Sequence, residues 1–520
     1  MKKLIKHLII SNVIITLLMF PIVVSSQNLD SLWTVWNDDS QPDSARLEAI
    51  NSFIWTRYYQ TQISDDSLLI ISQNMYDLAV DAGLKKPQSD ALLHLGLVYR
   101  YGSNNQKALE YFEQSLSLST EINYLKGIGL AYEGIATMLD IEARYKESLT
   151  YYKKGLEKYK EISDSTQMAY CLNRIGSAYH QLSDYTLARS YYDSGIAMLD
   201  TVDEYFLFQA VKGNIASILA DQGDYKNALP IQIRILNYFK TVGYYEGVGI
   251  GNEFIGNIYV NQGKYDSAQA YYQKSLKVFQ QINYKLGIAW VFGSISDVYK
   301  KQGNFIKALE YLKRSKIAYT EINYSLGIAE CLISYGEFYA DLEDYTVSLG
   351  YLQTALELFE EIGNNRFIAE VYSLMGGIYL KLADYSQVYK YYEMSLSIFI
   401  ELEMKSQIAA VYNKLGVYFK ELGDYKNAKD YLMRSKEIYE EIGHKKGLAE
   451  VCIDLGDLNF LQGNLSNGID WCKNGYDIAV EMGVLTLEQE AANSLYKAHK
   501  AMGNNILALN FLERSLEFYY

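Results

Sequence analysis

Across residues 412–442 the apolar positions fall at helical intervals. Tyr412, Leu415, Gly416 and Phe419 recur at i, i+3, i+4 and i+7; after a break, Tyr425, Ala428, Leu432, Ser435, Tyr439 and Ile442 follow in alternating steps of three and four. Charged and amide residues fill the intervening positions, so the pattern predicts two amphipathic helices. The break between them is Gly423-Asp424, and Gly223-Asp224, Gly303-Asn304 and Gly463-Asn464 stand at equivalent points. A residue tolerant of φ > 0 closes the first helix there and a side-chain acceptor opens the second. The predicted element is a hairpin of helices.

The hairpin repeats with a period of forty residues that never slips. A small residue of the first helix recurs at Gly96, Ala136, Gly176, Ala216, Gly256, Ser296, Gly336, Gly376, Gly416 and Gly456. Aromatic columns recur at Tyr145, Tyr185, Tyr225, Tyr265, Phe305, Tyr345, Tyr385 and Tyr425, and again at Tyr151, Tyr191, Tyr271, Tyr311, Tyr351, Tyr391 and Tyr431. A small residue where two helices cross lets a large side chain of the partner helix sit against the backbone. These columns account for the excess of tyrosine, 50 in the chain, as architecture rather than chemistry. One such hairpin buries too little to fold alone, so stability must come from stacking neighbours.

Leu415-Gly416-Val417-Tyr418-Phe419 and Gly263-Lys264-Tyr265 through Tyr271-Tyr272 resemble the L-G-x-x-Y and G-D-Y-x-x-A-x-x-Y-Y signatures of the tetratricopeptide repeat family, in its longer forty-residue form. The resemblance covers nearly the whole chain. It implies an all-α fold, a right-handed α-α superhelical solenoid of antiparallel helix pairs. Residues 27–88 read as an N-terminal segment with a divergent first repeat, 89–488 as ten units, and 489–520 as a final incomplete unit.

The first residues change the picture of where the chain works. A basic start, an apolar stretch from Leu8 to Met19 and the small residues Ser25 and Ser26 before Gln27 have the layout of a cleaved secretory signal over 1–26. An uncleaved anchor is the competing reading, against which Ser11, Asn12, Thr16 and Pro21 interrupt the run. The expected location is periplasmic or extracellular, with no membrane span in the mature chain. Losing Lys2, Lys3 and Lys6 would take the net charge from −14 to −17, a surface that repels phosphate backbones, so nucleic acid is not an expected partner.

Catalytic chemistry finds no foothold. The five histidines, at 7, 94, 180, 444 and 499, include no pair at metal-ligand spacing, so no metal or cofactor is expected. The glycine-rich stretch Gly247 to Gly256 lacks the preceding strand of a phosphate loop, and Gly256 belongs to the packing column. No small-molecule site is evident. Cys452 and Cys472 lie ten residues either side of position 462, near a hairpin turn, which puts them at one height on facing helices. In an oxidising compartment a disulfide is open to them; two small buried apolar groups is the competing reading.

Residues such as Asn413, Val417 and Lys420 point away from the partner helix, and the family resemblance implies that this surface lines a concave groove. Equivalent positions include Asn173, Ser177, Glu253, Asn257, Asp297, Lys300, Glu337, Asp457, Asn493 and Lys497. Asparagine offers both donor and acceptor, which suits an extended peptide backbone. The expected function is a non-catalytic exported scaffold that binds a protein or peptide along this groove. The alternative is the input portion of a larger signalling protein that continues past Tyr520 to a histidine kinase, cyclase or transcription-regulator output.

Overall fold

The computed structural model describes residues 29–60, 65–101, 104–199 and 205–516, and every regular element among them is an α-helix, twenty-five in all. The leader expected at 1–26 and the chain end beyond Leu516 lie outside the described residues. From Lys85 onward the helices pair on the forty-residue ruler: Lys85–Tyr101 with Asn105–Glu121, Leu125–Ile141 with Tyr145–Glu161, and so on to Leu485–Ala501 with Asn505–Leu516. The first member of each pair is called helix A below and the second helix B. Leu29–Asn37, Asp43–Gln60 and Asp65–Asp81 precede them.

The structural period is finer than the sequence period. Most helices are 17 residues long and a three-residue turn follows each, so the same event recurs every twenty residues. Its centre is a left-handed residue: Asn123, Ala143, Ser163, Ser183, Gly223, Gly243, Gly263 and onward to Gly503. At one such turn the Tyr124 N–H donates to Ser119 O at 2.8 Å and the Asn123 N–H to Thr120 O at 3.1 Å, satisfying the last carbonyls of the helix. The side chains of Asp224, Asn304 and Asp424 then cap the next helix, accepting from the N–H of Asn227, Lys307 and Asn427. Asn464, expected to do the same, makes no such bond.

The small column works as the sequence implies. A Cβ on Gly176, Gly256 or Gly376 would come within 2.5–2.7 Å of ring atoms of Tyr192, Tyr272 or Tyr392 of the paired helix B. All three rings are fully buried. A second aromatic register joins the two helices of a hairpin: Tyr339 lies parallel to Tyr351 at 5.5 Å and Tyr379 to Tyr391 at 5.3 Å.

The described residues divide into two compact units. One holds the chain up to Gln181 together with Thr186–Asn214. Its cores group Leu47, Ile50, Met75 and Ala91 at the N-terminal helices, and Leu93, Phe112, Ile135 and Met138 further on. The other holds Leu182–Tyr185 and the chain from Ile215. Within this second unit the array curls back on itself. Tyr225, Phe254 and Ile258 share one apolar core with Cys472, Met482, Val484, Leu487 and Ala491, more than two hundred residues along the chain. The turns after helix A at 222–224 and 262–264 meet the turns after helix B at 442–444 and 482–486. Gln222 Nε2 donates to Ile442 O at 3.5 Å, and the Leu485 N–H donates to Gln262 O at 3.4 Å. Met482 packs against Gly223, which leaves no room for a side chain there. Tyr225 is consequently 3% exposed, whereas Tyr385, at the same column position but uncovered, is 37% exposed.

Candidate binding surface

Helix A presents its polar side chains to the helices A of neighbouring repeats. The spacing that links them is one repeat plus one residue. In the first unit Asn214 Nδ2 donates to Asn173 Oδ1 at 2.8 Å. In the second unit Ser294 Oγ donates to Glu253 Oε1 at 3.3 Å, Lys414 Nζ to Ser373 Oγ at 2.5 Å and Asn413 Nδ2 to Asp454 Oδ2 at 3.2 Å, each pair 41 residues apart. Shorter spacings of 34 and 37 add Lys420 Nζ to Asp454 at 2.9 Å and Ser494 Oγ to Asp457 at 3.0 Å. A one-turn slip along the helix separates these spacings, so all of them bridge adjacent helices A on the same face.

Lys300 is the most densely charged point of this ladder. Its ammonium lies 3.3 Å from Glu337, 3.8 Å from Asp341 and 3.9 Å from Asp297, while Lys301 pairs with Asp297 as well. Burial works against the charge on Lys300, but the carboxylates of Glu337, Asp297 and Asp341 outweigh it and hold its pKa above the usual lysine range. Lys414 is the opposite case: burial dominates Glu370 and Glu337 and brings it down to about 8. Glu253, wholly buried, is pushed up to about 7 by desolvation against the opposing Ser294 hydrogen bond. Arg366 and Glu370 form a buried pair at 3.0 Å on the helix Asn365–Lys381.

The structure therefore places the residues expected in a groove in three settings. Asn173, Ser177, Glu253 and Asp297 are buried between repeats. Asn257, Lys300, Glu337, Asn413, Lys420 and Asp457 are half-buried; Asn257 accepts the Tyr272 hydroxyl at 2.5 Å and the others join the ladder. Only Asn493 and Lys497, on the last helix A, are exposed. Not expected from the sequence were Ser294, Asp454 and Ser494, which partner Glu253, Asn413 with Lys420, and Asp457, nor the further pair of Lys414 with Ser373. A search for complementary polar residues at spacings of one repeat plus or minus a turn would have found them.

Cys452 and Cys472 are separate buried thiols. Cys472 packs on Gly456, whereas Cys452 lies beside Gly475, its Cβ 3.4 Å from where a Cβ on that glycine would stand. Helix A runs to Leu461 and helix B starts at Leu465, and across that turn Cys472 meets Gly456, four residues on from Cys452. That shift puts the two cysteines one helical turn out of level. Burial pushes the Cys452 thiol up to about 12 and Cys472 further in the same direction.

No group of three or more His, Cys, Asp or Glu side chains among the described residues is arranged to hold a metal ion, and no described helix is long and apolar enough to cross a membrane. Family models described as tetratricopeptide repeat match residues 248–316 and 328–401, 169–198 and 409–442, and 90–118. Tetratricopeptide repeat protein 29 of Macaca fascicularis is 25% identical over 112 residues, which is 22% of this chain and 24% of that protein, so the chain matches about a quarter of this relative's length. Among solved structures, a Rap protein complexed with competence and sporulation factor is 15% identical, with a TM-score of 0.47, over 74% of this chain and 99% of its own. Aspartyl phosphate phosphatase F from Bacillus subtilis is 14% identical, with a TM-score of 0.42, over 68% of this chain and 94% of its own.

Proposed function

The chain is a tetratricopeptide repeat protein, and from that premise we propose that it is a non-catalytic scaffold whose helix-A face holds an extended segment of a protein partner. One observation carries this reading: the helices A at 285–301, 325–341, 405–421 and 445–461 present both donors and acceptors that are half-buried rather than sealed. Lys300, Glu337, Asn413, Lys420 and Asp457 keep part of their surface open while bonding to the next repeat. A peptide backbone offers one donor and one acceptor per residue and would meet both kinds along its length. Asn493 and Lys497, both exposed, extend the series onto the helix 485–501. Export, with the leader of residues 1–26 removed, is part of the same proposal and places the partner outside the cytoplasm.

The test is capture of partners from envelope extract on the purified chain, followed by titration of the captured partner against variants. Asn413→Ala combined with Lys420→Ala is expected to weaken binding about tenfold or more, the loss of two hydrogen bonds of which one is charged. Arg434→Ala, on a solvent-facing stretch of helix B, should leave it unchanged. Equal binding by all three proteins would overturn the assignment of the helix-A face. Removal of residues 1–26 from the secreted chain, read by N-terminal sequencing, tests export separately.

A further inference from the structure

The turns that follow helix A form one edge of the second unit, and over two repeats the chain covers that edge itself. Gln222 and Gln262 bond across to the turns after helix B at 442–443 and 483–485, while Gly223 and Gly263 receive Met482, Leu485 and Thr486. The distance along the chain between the two partners is about 220 residues each time. The same edge then continues uncovered. Gly303, Gly423, Gly463 and Gly503 have nothing within 4 Å of where a Cβ would stand.

Covered and uncovered stretches differ in composition. Where the edge is covered, the residue before the left-handed turn position is glutamine, Gln222 or Gln262. Where it is uncovered, that residue is Gln302, then Leu342, Leu382 and Leu422 on three consecutive repeats, then Gln462; the three leucines are exposed, and Ile306, just inside the helix that follows the first of these turns, is 85% exposed. Single exposed leucines are ordinary; a row at one structural position on successive repeats is a contiguous apolar strip.

We propose that this strip is a self-association surface on which a second copy of the chain lays the turns that follow its helices B. The intrachain contact shows that these two kinds of edge fit each other: it is the same turn geometry meeting the same turn geometry, with backbone N–H to C=O bonding across it. The complementary edge is available as well. Val242 and Tyr245 are exposed there, and Gly243 and Gly363 have nothing within 4 Å of a Cβ position. Because one edge type binds the other, the contact is heterologous and adds copies in one direction rather than closing a two-fold pair. The net charge of −14 opposes it, so association strengthens as salt screens the repulsion.

Sedimentation velocity of the full chain over a concentration series tests this. The expected result is a weight-average sedimentation coefficient that rises with concentration and with added salt. Leu342→Glu, Leu382→Glu and Leu422→Glu together should weaken association about 100-fold while leaving helix content and thermal midpoint unchanged, since all three side chains are already exposed. A mixture of Leu382→Cys chains with Tyr245→Cys chains should form mixed disulfide-linked pairs on mild oxidation, the native cysteines being buried. A chain that sediments as a monomer at every concentration, or a triple variant that associates as the parent does, overturns the proposal.

Discussion

Replacing Gly456 by alanine tests the packing logic at its tightest point. A Cβ there would overlap Cys472 Sγ and lie 3.0 Å from Gly468 O and 3.2 Å from Cys472 N. The sulfur can rotate away, but the other two atoms are backbone of helix B, so the helices themselves must part by about 0.5 Å to restore ordinary contact. Overpacking of this kind, where backbone rather than a side chain must move, lies in the upper part of the usual range, about 2–3 kcal/mol; the better helix propensity of alanine returns about 1 kcal/mol. The net expectation is a loss of about 1–2 kcal/mol, confined to the hairpin 445–482 and its neighbours. A repeat array does not unfold as one unit, so a global midpoint would dilute the effect. The buried thiols supply a local readout. Cys452 and Cys472 flank the crossing, and both are too buried and too weakly acidic to react without opening. Labelling by a thiol reagent then tracks the open population and should accelerate about 5- to 30-fold in the variant. Gly350→Ala, at a helix position with nothing within 4 Å, should instead stabilise by up to about 1 kcal/mol. Unchanged labelling in Gly456→Ala would refute the claim that glycine is there to let two backbones approach.

Three further outcomes follow from the structure. Glu343 and Glu403 hold left-handed backbone at φ 62 and 53, so Glu343→Gly and Glu403→Gly should each raise stability by about 0.5–1 kcal/mol, read as a higher thermal midpoint. Glu253 has its pKa raised to about 7, so the folded state holds its proton more tightly than the unfolded chain; this stabilisation is complete below about pH 4.5 and is lost as pH rises through 7. Glu253→Gln should therefore be more stable than the parent at pH 8, by about 3 kcal/mol at most, with the difference vanishing near pH 4.5 in denaturant titrations. Lys300→Met leaves Asp297, Glu337 and Asp341 facing one another without their shared cation and should cost about 3 kcal/mol, seen as faster hydrogen exchange in the helices 285–301 and 325–341.

The hairpin, its forty-residue period and the glycine column were legible because each rests on contacts within one unit, where the apolar pattern repeats in register. Gly176, Gly256 and Gly376 sit against large side chains of the paired helix, but these are Tyr192, Tyr272 and Tyr392, one residue after the column at Tyr191, Tyr271 and Tyr391. Three things were not legible. The left-handed turn position is held by Ala143, Glu343 or Ala383 as readily as by glycine, so composition concealed a twenty-residue period that the backbone obeys at the described turns from Gly83 onward. The polar positions of helix A face the neighbouring helix A closely enough to bond to it, and nothing in a single unit's periodicity reveals how near that neighbour comes; Asn173 and Glu253 are buried for this reason. The contact of Gln222 with Ile442 depends on the curvature accumulated over five and a half repeats, a sum of small rotations that no local pattern encodes.

The described turns with a left-handed centre leave one helix and enter the next with one shared backbone geometry, whichever side of the hairpin they serve. Remove forty residues anywhere between Tyr205 and Ala501 and the two cut ends still match; insert forty and they match again. Reach along a partner could thus be adjusted by duplication or loss of whole hairpins, while the contact between successive coils of the second unit would shift by one step and find an equivalent seat.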